Sequence, residues 1–425
     1  MALETTLARA SSRNEPPLNV GGRHPALTRW LCVGFLVLVF GSAQAQDHGS
    51  GGLGGPSSVQ SDLSDGDGLT DPQFRSRFPE TLVPQWFAFK ETLKTNANID
   101  FKIDYLSLGQ WSNSNIGQGH AVGGMARIYG TWQAFENGGL TAKLEHRTAY
   151  TSVAPQFFGF DSGAQSISGT AFNDIQLALT NLFWTQRAEG GAWVLQAGQL
   201  DVTDFVDVYG LVSPYTAFQN LAFNTNPTIN APNQGLGIAG GVRLHQNIYA
   251  IASIADANGD PTQPNLNVFK KGETFKSFEL GFMSAQDRIY FDNIHLTVWQ
   301  SDGADDGSRK DDWGISGSAA WFFDNRWMPF LRAGFSQGKA ALYKKTVSAG
   351  LGFYTRETDL FGFGLNWSDP GDAFDEDQYT AEIFYRFTVS PHLAITPSLQ
   401  LIANPALNPD QENLAIFGLR GRIAL

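Results

Sequence analysis

The chain has 425 residues, 42% hydrophobic, 13% aromatic and only 16% charged, with a net charge of −12. Soluble proteins carry roughly 25% charged residues, so this composition is poor in charge for a body bathed only by water. The acidic balance, with few basic clusters, argues against nucleic acid as a partner.

The first 45 residues read as a secretory signal peptide. Arg9, Arg13, Arg23 and Arg29 precede an apolar run from Leu31 to Phe40, and small residues at Ala43 and Ala45 mark cleavage after Ala45. Cleavage would remove four Arg and two Glu, taking the net charge from −12 to −14. It would also remove Cys32, the one cysteine, which excludes a disulfide scaffold, a thiolate metal site and a cysteine nucleophile in the mature chain.

Residues 46–80 are rich in Gly, Ser and Asp and read as a flexible segment. Within it, Asp65, Asp67 and Asp71 resemble part of a calcium loop. A full loop needs more oxygen ligands at fixed spacing, so the expectation is a solvated acidic linker with no metal and no cofactor. Residues 81–98, with Pro84 and Trp86, form a lead-in with the makings of a short helix.

No run after residue 45 approaches the roughly 18 apolar residues of a membrane helix. From Ile99 onward, segments of about ten residues alternate apolar and polar, separated by Gly, Asn, Asp and Pro. Ile99, Phe101, Ile103 and Tyr105 alternate with Asp100, Lys102 and Asp104. Ile294, Leu296 and Val298 alternate with His295, Thr297 and Trp299. Phe361, Phe363, Leu365 and Trp367 alternate with Gly362, Gly364 and Asn366. In the closing run, Ala415, Phe417, Leu419 and Ile423 fall on one face and Arg420 and Arg422 on the other. An apolar face meeting lipid and a polar face meeting water inside a closed barrel account for this pattern.

The fold class is therefore all-β: a transmembrane antiparallel β-barrel over residues 99–425. Candidate strands fall near 99–110, 122–135, 139–150, 172–185, 192–201, 235–246, 247–256, 275–285, 290–301, 312–323, 327–337, 344–355, 359–368, 378–389, 392–403 and 413–425. That is about 16 strands, wide enough for an aqueous channel. Trp111, Trp184, Trp193, Trp299, Trp313, Trp327 and Trp367 lie near strand ends, where interfacial girdles form. Short joints at 136–139, 324–326 and 390–391 suit the periplasmic end, and longer loops the outer end. The longest stretch, 202–234, is strongly apolar. It either folds into the barrel and narrows it, or packs as a lid or between subunits.

Three stretches resemble the carbohydrate-selective porin family of bacterial outer membranes: Gln196–Asp201 with Asp204-Phe205 and Phe218-Gln219-Asn220; Gly235–Gly240; and Leu393–Pro405 followed by Gly418-Leu419-Arg420. The likeness spans about residues 85–425. Ser398 stands where the family usually has Asp. The chain closes on Leu425 where the family often has Phe, keeping the apolar end that the outer-membrane assembly machinery reads. The resemblance implies an outer-membrane sugar channel, in contact with membrane lipid and either monomeric or homotrimeric.

No paired His spacing appears, so no enzyme is expected. A sugar channel needs hydrogen-bonding groups and flat aromatics on its wall, each binding weakly enough to release. The inward phase of the strands offers Arg127, Glu145, Arg147, Arg243, Arg332, Glu382, Arg386, Arg420 and Arg422, with Trp184 and Trp299 as aromatic rungs. The inward arginines fit an anion-preferring or general porin equally well. A plugged structural or adhesive barrel is the alternative of a different class.

Overall fold

The computed structural model describes residues 53–64, 73–74, 83–374 and 376–425. The expected signal peptide and Asp65, Asp67 and Asp71 lie outside the described residues. The sixteen expected strands are all present: β1 Ile99–Ser112, β2 His120–Phe135, β3 Gly138–Ala149, β4 Gln176–Arg187, β5 Trp193–Leu200, β6 Gly235–His245, β7 Ile248–Asp256, β8 Thr274–Met283, β9 Asn293–Ser301, β10 Asp312–Ala320, β11 Trp327–Ser336, β12 Lys345–Tyr354, β13 Leu360–Asp369, β14 Gln378–Ser390, β15 Leu393–Ala403 and β16 Asn413–Ala424. Each pairs antiparallel with its sequence neighbours, and β16 pairs with β1 to close the barrel. Closure leaves no strand edge unpaired, the condition for backbone in a lipid core.

Alternation sets the two faces. On β9, Ile294, Leu296 and Val298 are exposed outward, while Asn293, His295, Thr297 and Trp299 are buried inward. Trp111 and Trp313 lie exposed near the long-loop end, and Trp193 and Trp327 near the short-turn end. Strand β4 begins later than its sequence suggests, because Phe172 leaves the sheet and packs inside the barrel with Leu106, Leu108, Met125 and Tyr215.

The apolar core is contributed by an inserted segment rather than by the wall alone. Residues 201–234 lie within the barrel, where Phe205, Tyr209, Leu211, Phe218 and Phe223 are each at most 2% exposed. The lid and inter-subunit alternatives for this stretch do not describe the fold. Wall glycines provide the recess: a Cβ at Gly364 would stand 2.7 Å from a Phe223 ring carbon, and one at Gly352 2.9 Å from Leu211 Cδ1.

Residues 53–64 are not a free linker. Leu53 is 1% exposed, and helix α1, Val59–Ser64, lies against β1, β2 and β3 inside the barrel. Helix α2, Pro84–Ala97, starts with Pro at its first turn. It ends at Asn98, whose left-handed φ of 55° lets its N–H reach Leu93 O and turns the chain into β1.

Candidate substrate path in the barrel lumen

Two groups of wall side chains face the inserted segments. The first lies on β8, β9, β11 and β14–β16 and holds residues 201–234. Arg420 Nη1 donates to Pro214 O at 2.5 Å and Ala217 O at 3.1 Å, and Arg386 Nη1 donates to Thr216 O at 3.3 Å. The Glu382 carboxylate accepts from the backbone N–H groups of Gln219 and Asn220 at 2.8 and 2.9 Å. Arg332 Nη2 donates to Asp207 Oδ2 at 2.7 Å. His295 Nε2 lies 2.9 Å from the other Asp207 oxygen, and Glu279 accepts from Asp207 N–H at 3.0 Å. Burial alone would raise the Asp207 carboxyl, but Arg332 and His295 hold it below the ordinary value.

The second group lies on β1–β3 and β16. Arg127 Nε donates to Asp104 Oδ1 at 2.7 Å, and Arg422 Nε to Asp104 Oδ2 at 3.0 Å. Both guanidinium groups also reach Asp62 on α1. Arg147 pairs with Glu145 two residues away on the same strand face. Lys102 and Lys143 complete the cationic side, both 1–2% exposed. The Arg127 guanidinium lies 3.9 Å from the Tyr215 ring centroid and 5.0 Å from that of Tyr129, within cation–π range.

Asp204 lies close to this second group. Burial pushes its carboxyl up to about 7, against the pull of Lys143 and the hydrogen bonds of Ser57 and Asn181, with Asp201 adding to the rise.

The expected wall residues thus separate. Arg332, Glu382, Arg386 and Arg420 hold the inserted segment, and Arg127, Glu145, Arg147 and Arg422 form the second group. Trp299 faces inward, stacked on Phe275 at 6.2 Å, rather than in an interfacial girdle. Arg243 faces inward but sits at the short-turn rim, bonded to Gln286 and to Gly190 O. Trp184 does not face the lumen. The pairing of β3 with β4 passes from Lys143↔Asn181 to Leu144↔Leu179, so Thr180 is a bulge residue and the phase flips. Leu182 and Trp184 therefore point outward, Trp184 against Phe135 at 5.6 Å.

Sequence reasoning missed Asp62, Lys102, Asp104, Lys143, Asp207, Glu279 and His295. The strict alternation of 99–105 already set Lys102 and Asp104 on the inward face. Asp62 had no such signal, since it lies in a Gly/Ser-rich stretch without periodicity.

Closed, sixteen-stranded, antiparallel and apolar outside, the molecule is a porin-type barrel with a segment folded into its lumen. Residues 283–425 match the family model described as Carbohydrate-selective porin, OprB family, so the resemblance read from the sequence is found over that region. The high-pH structure of Pseudomonas putida OprB superposes with a TM-score of 0.64 at 15% identity, covering 80% of this chain and 97% of that one. An anion-selective porin from Comamonas acidovorans gives 0.50 at 11% identity, covering 77% of this chain and 99% of that one. At these identities the likeness is one of fold. No curated protein matches the sequence.

Proposed function

We propose that this chain is an outer-membrane porin through which small hydrophilic solutes, carbohydrates first among them, diffuse passively. The long loops face outward, and the short turns, with the start of β1 and the end of β16, face the periplasm. The observation that carries the reading is the segment 201–234, folded into the lumen and tied to the wall by Arg332, Glu382, Arg386 and Arg420. A large barrel needs such an insertion to become selective rather than merely open. Sugars are rich in hydroxyls and mostly uncharged, so a path offering both carboxylate acceptors and guanidinium donors suits them. The family match over residues 283–425 supports carbohydrates over other neutral solutes. No covalent step is required. Export through a cleaved signal peptide is part of the same reading.

A second reading, a plugged structural barrel, draws support from the burial of Arg127, Arg332 and Arg420, each at most 2% exposed. Single-channel conductance in a planar bilayer separates the two. Partial, saturable closure by added sugar is expected. Open channels indifferent to sugar but strongly anion-selective would replace the carbohydrate reading with an anion porin. An absence of conductance in the intact chain and in a chain lacking residues 53–64 would favour the structural barrel.

A further inference from the structure

The second group of wall side chains carries more positive than negative charge: Lys102, Arg127, Lys143, Arg147 and Arg422 against Asp104 and Glu145. Buried charge in excess of its partners is costly, and a further anion in reach would relieve it. In this structure that anion is the Asp62 carboxylate, itself 0% exposed. Its two oxygens are divided between two guanidinium groups, Arg127 Nη1 to Oδ2 at 2.8 Å and Arg422 Nη2 to Oδ1 at 3.3 Å. Lys102 Nζ donates to the Asp62 backbone carbonyl at 3.3 Å.

Asp62 is not part of the barrel. It arrives on α1, a single short helix. The residues before it make other lumen contacts: Gly54 N–H to Tyr290 OH at 3.0 Å, Gly55 N–H to Asp204 O at 2.8 Å, and Gln196 Nε2 to Leu53 O at 3.0 Å. None of the contacts named here is a strand pairing, so the segment can leave while the sixteen-stranded ladder stays intact.

We propose that this wall site is a carboxylate-binding site, that residues 53–64 occupy it as a tethered plug, and that acidic sugars displace the plug. The site deepens the porin reading, on which it rests, by naming a solute class. A hexuronate presents one carboxylate to Arg127 and Arg422 in place of Asp62. A neutral hexose has no group to compete with Asp62. Because the plug and the solute exclude one another, each weakens the other's binding by the same factor.

The mature chain expected from the sequence has no cysteine, so Ser58→Cys gives a single reporter. Ser58 is 2% exposed and its carbonyl accepts from Asp62 N–H in the same helical turn. Maleimide labelling of this variant, in the full-length mature barrel, reads plug release. Sodium glucuronate at ten times its Kd is expected to speed labelling about tenfold, whereas glucose, or sodium chloride at equal ionic strength, leaves it unchanged. Adding Asp62→Asn is expected to speed labelling without any solute, and Arg422→Gln to abolish the difference between glucuronate and glucose. Equal labelling in glucuronate and in glucose overturns the proposal, and rests on Ser58→Cys alone should the other variants fail to fold. Conductance measured in parallel separates the two readings. Labelling that responds to glucuronate in a barrel that never conducts keeps the site and removes the porin. Conductance with labelling indifferent to glucuronate does the reverse.

Discussion

Arg420→Leu tests whether the inserted segment is held by the wall charges. The Arg420 backbone pairs with Leu108 and Thr396 in the ladder, and those bonds do not depend on its side chain. The side chain is what spans to Pro214 O and Ala217 O. Leucine leaves Ala217 O without a donor, whereas Pro214 O keeps the Gln219 side-chain amide at 2.7 Å, and one orphaned buried acceptor costs about 1–3 kcal/mol. Against this, a buried guanidinium is expensive to desolvate, and Arg420 Nη2 has no hydrogen-bond partner among the described residues. A net loss of about 1.4 kcal/mol in the docking of 201–234 follows, with the barrel itself nearly unchanged. Limited proteolysis from the long-loop side, under conditions where opening and closing outpace cleavage, reads this directly. At about 1.4 kcal/mol per factor of ten, cleavage within 214–220 should accelerate about tenfold, while the thermal transition of the barrel stays in place. Single-channel conductance should rise in the same variant. Acceleration below about threefold, with unchanged conductance, would refute the assignment of Arg420 as an anchor.

Gly364→Val places a side chain where Phe223 now lies, and overpacking of this kind costs about 1–3 kcal/mol; a wider, less selective channel at unchanged barrel stability is expected in sugar-flux assays on liposomes. Asp204 gives a pH dependence of defined sign. Its ordinary value is 3.8 and in the docked fold it rises to about 7, so the docked state binds the extra proton. Docking of 53–64 and 201–206 is therefore firmest below about pH 4, weakens as pH rises toward 7 and levels off above it. Amide hydrogen exchange at Gly55 should follow that course once intrinsic exchange is corrected for, and Asp204→Asn should flatten it; protection that grows between pH 4 and 7 would exclude Asp204 as its source.

Much of the barrel was legible because a lipid face and a lumen face impose a period of two on the strands, and β1 carries it from Ile99 to Tyr105 and β9 from Asn293 to Val298. Where the period fails, the reading fails with it. A single extra residue at Thr180 reverses every side chain after it on β4, and nothing in the composition of Gln176–Arg187 announces a bulge. The destination of 201–234 was half legible: its apolar side chains needed cover, and Gly352 on β12 and Gly364 on β13 left room for it. Asp62 was not legible at all. Its place depends on the excess positive charge of four distant strands, which only the closed barrel brings together.

The seam between β1 and β16 has a consequence for biogenesis. Ile103 and Leu425 exchange both backbone hydrogen bonds, at 3.0 and 2.8 Å, across more than three hundred intervening residues. Until that far partner arrives, β1 has only β2 beside it and offers a bare row of donors and acceptors to any passing chain. Such long-range pairing is slow, since loop-closure entropy is spent before the contacts form. The interval between synthesis and closure is thus the period in which this chain depends most on escorts that keep its open edge from aggregating.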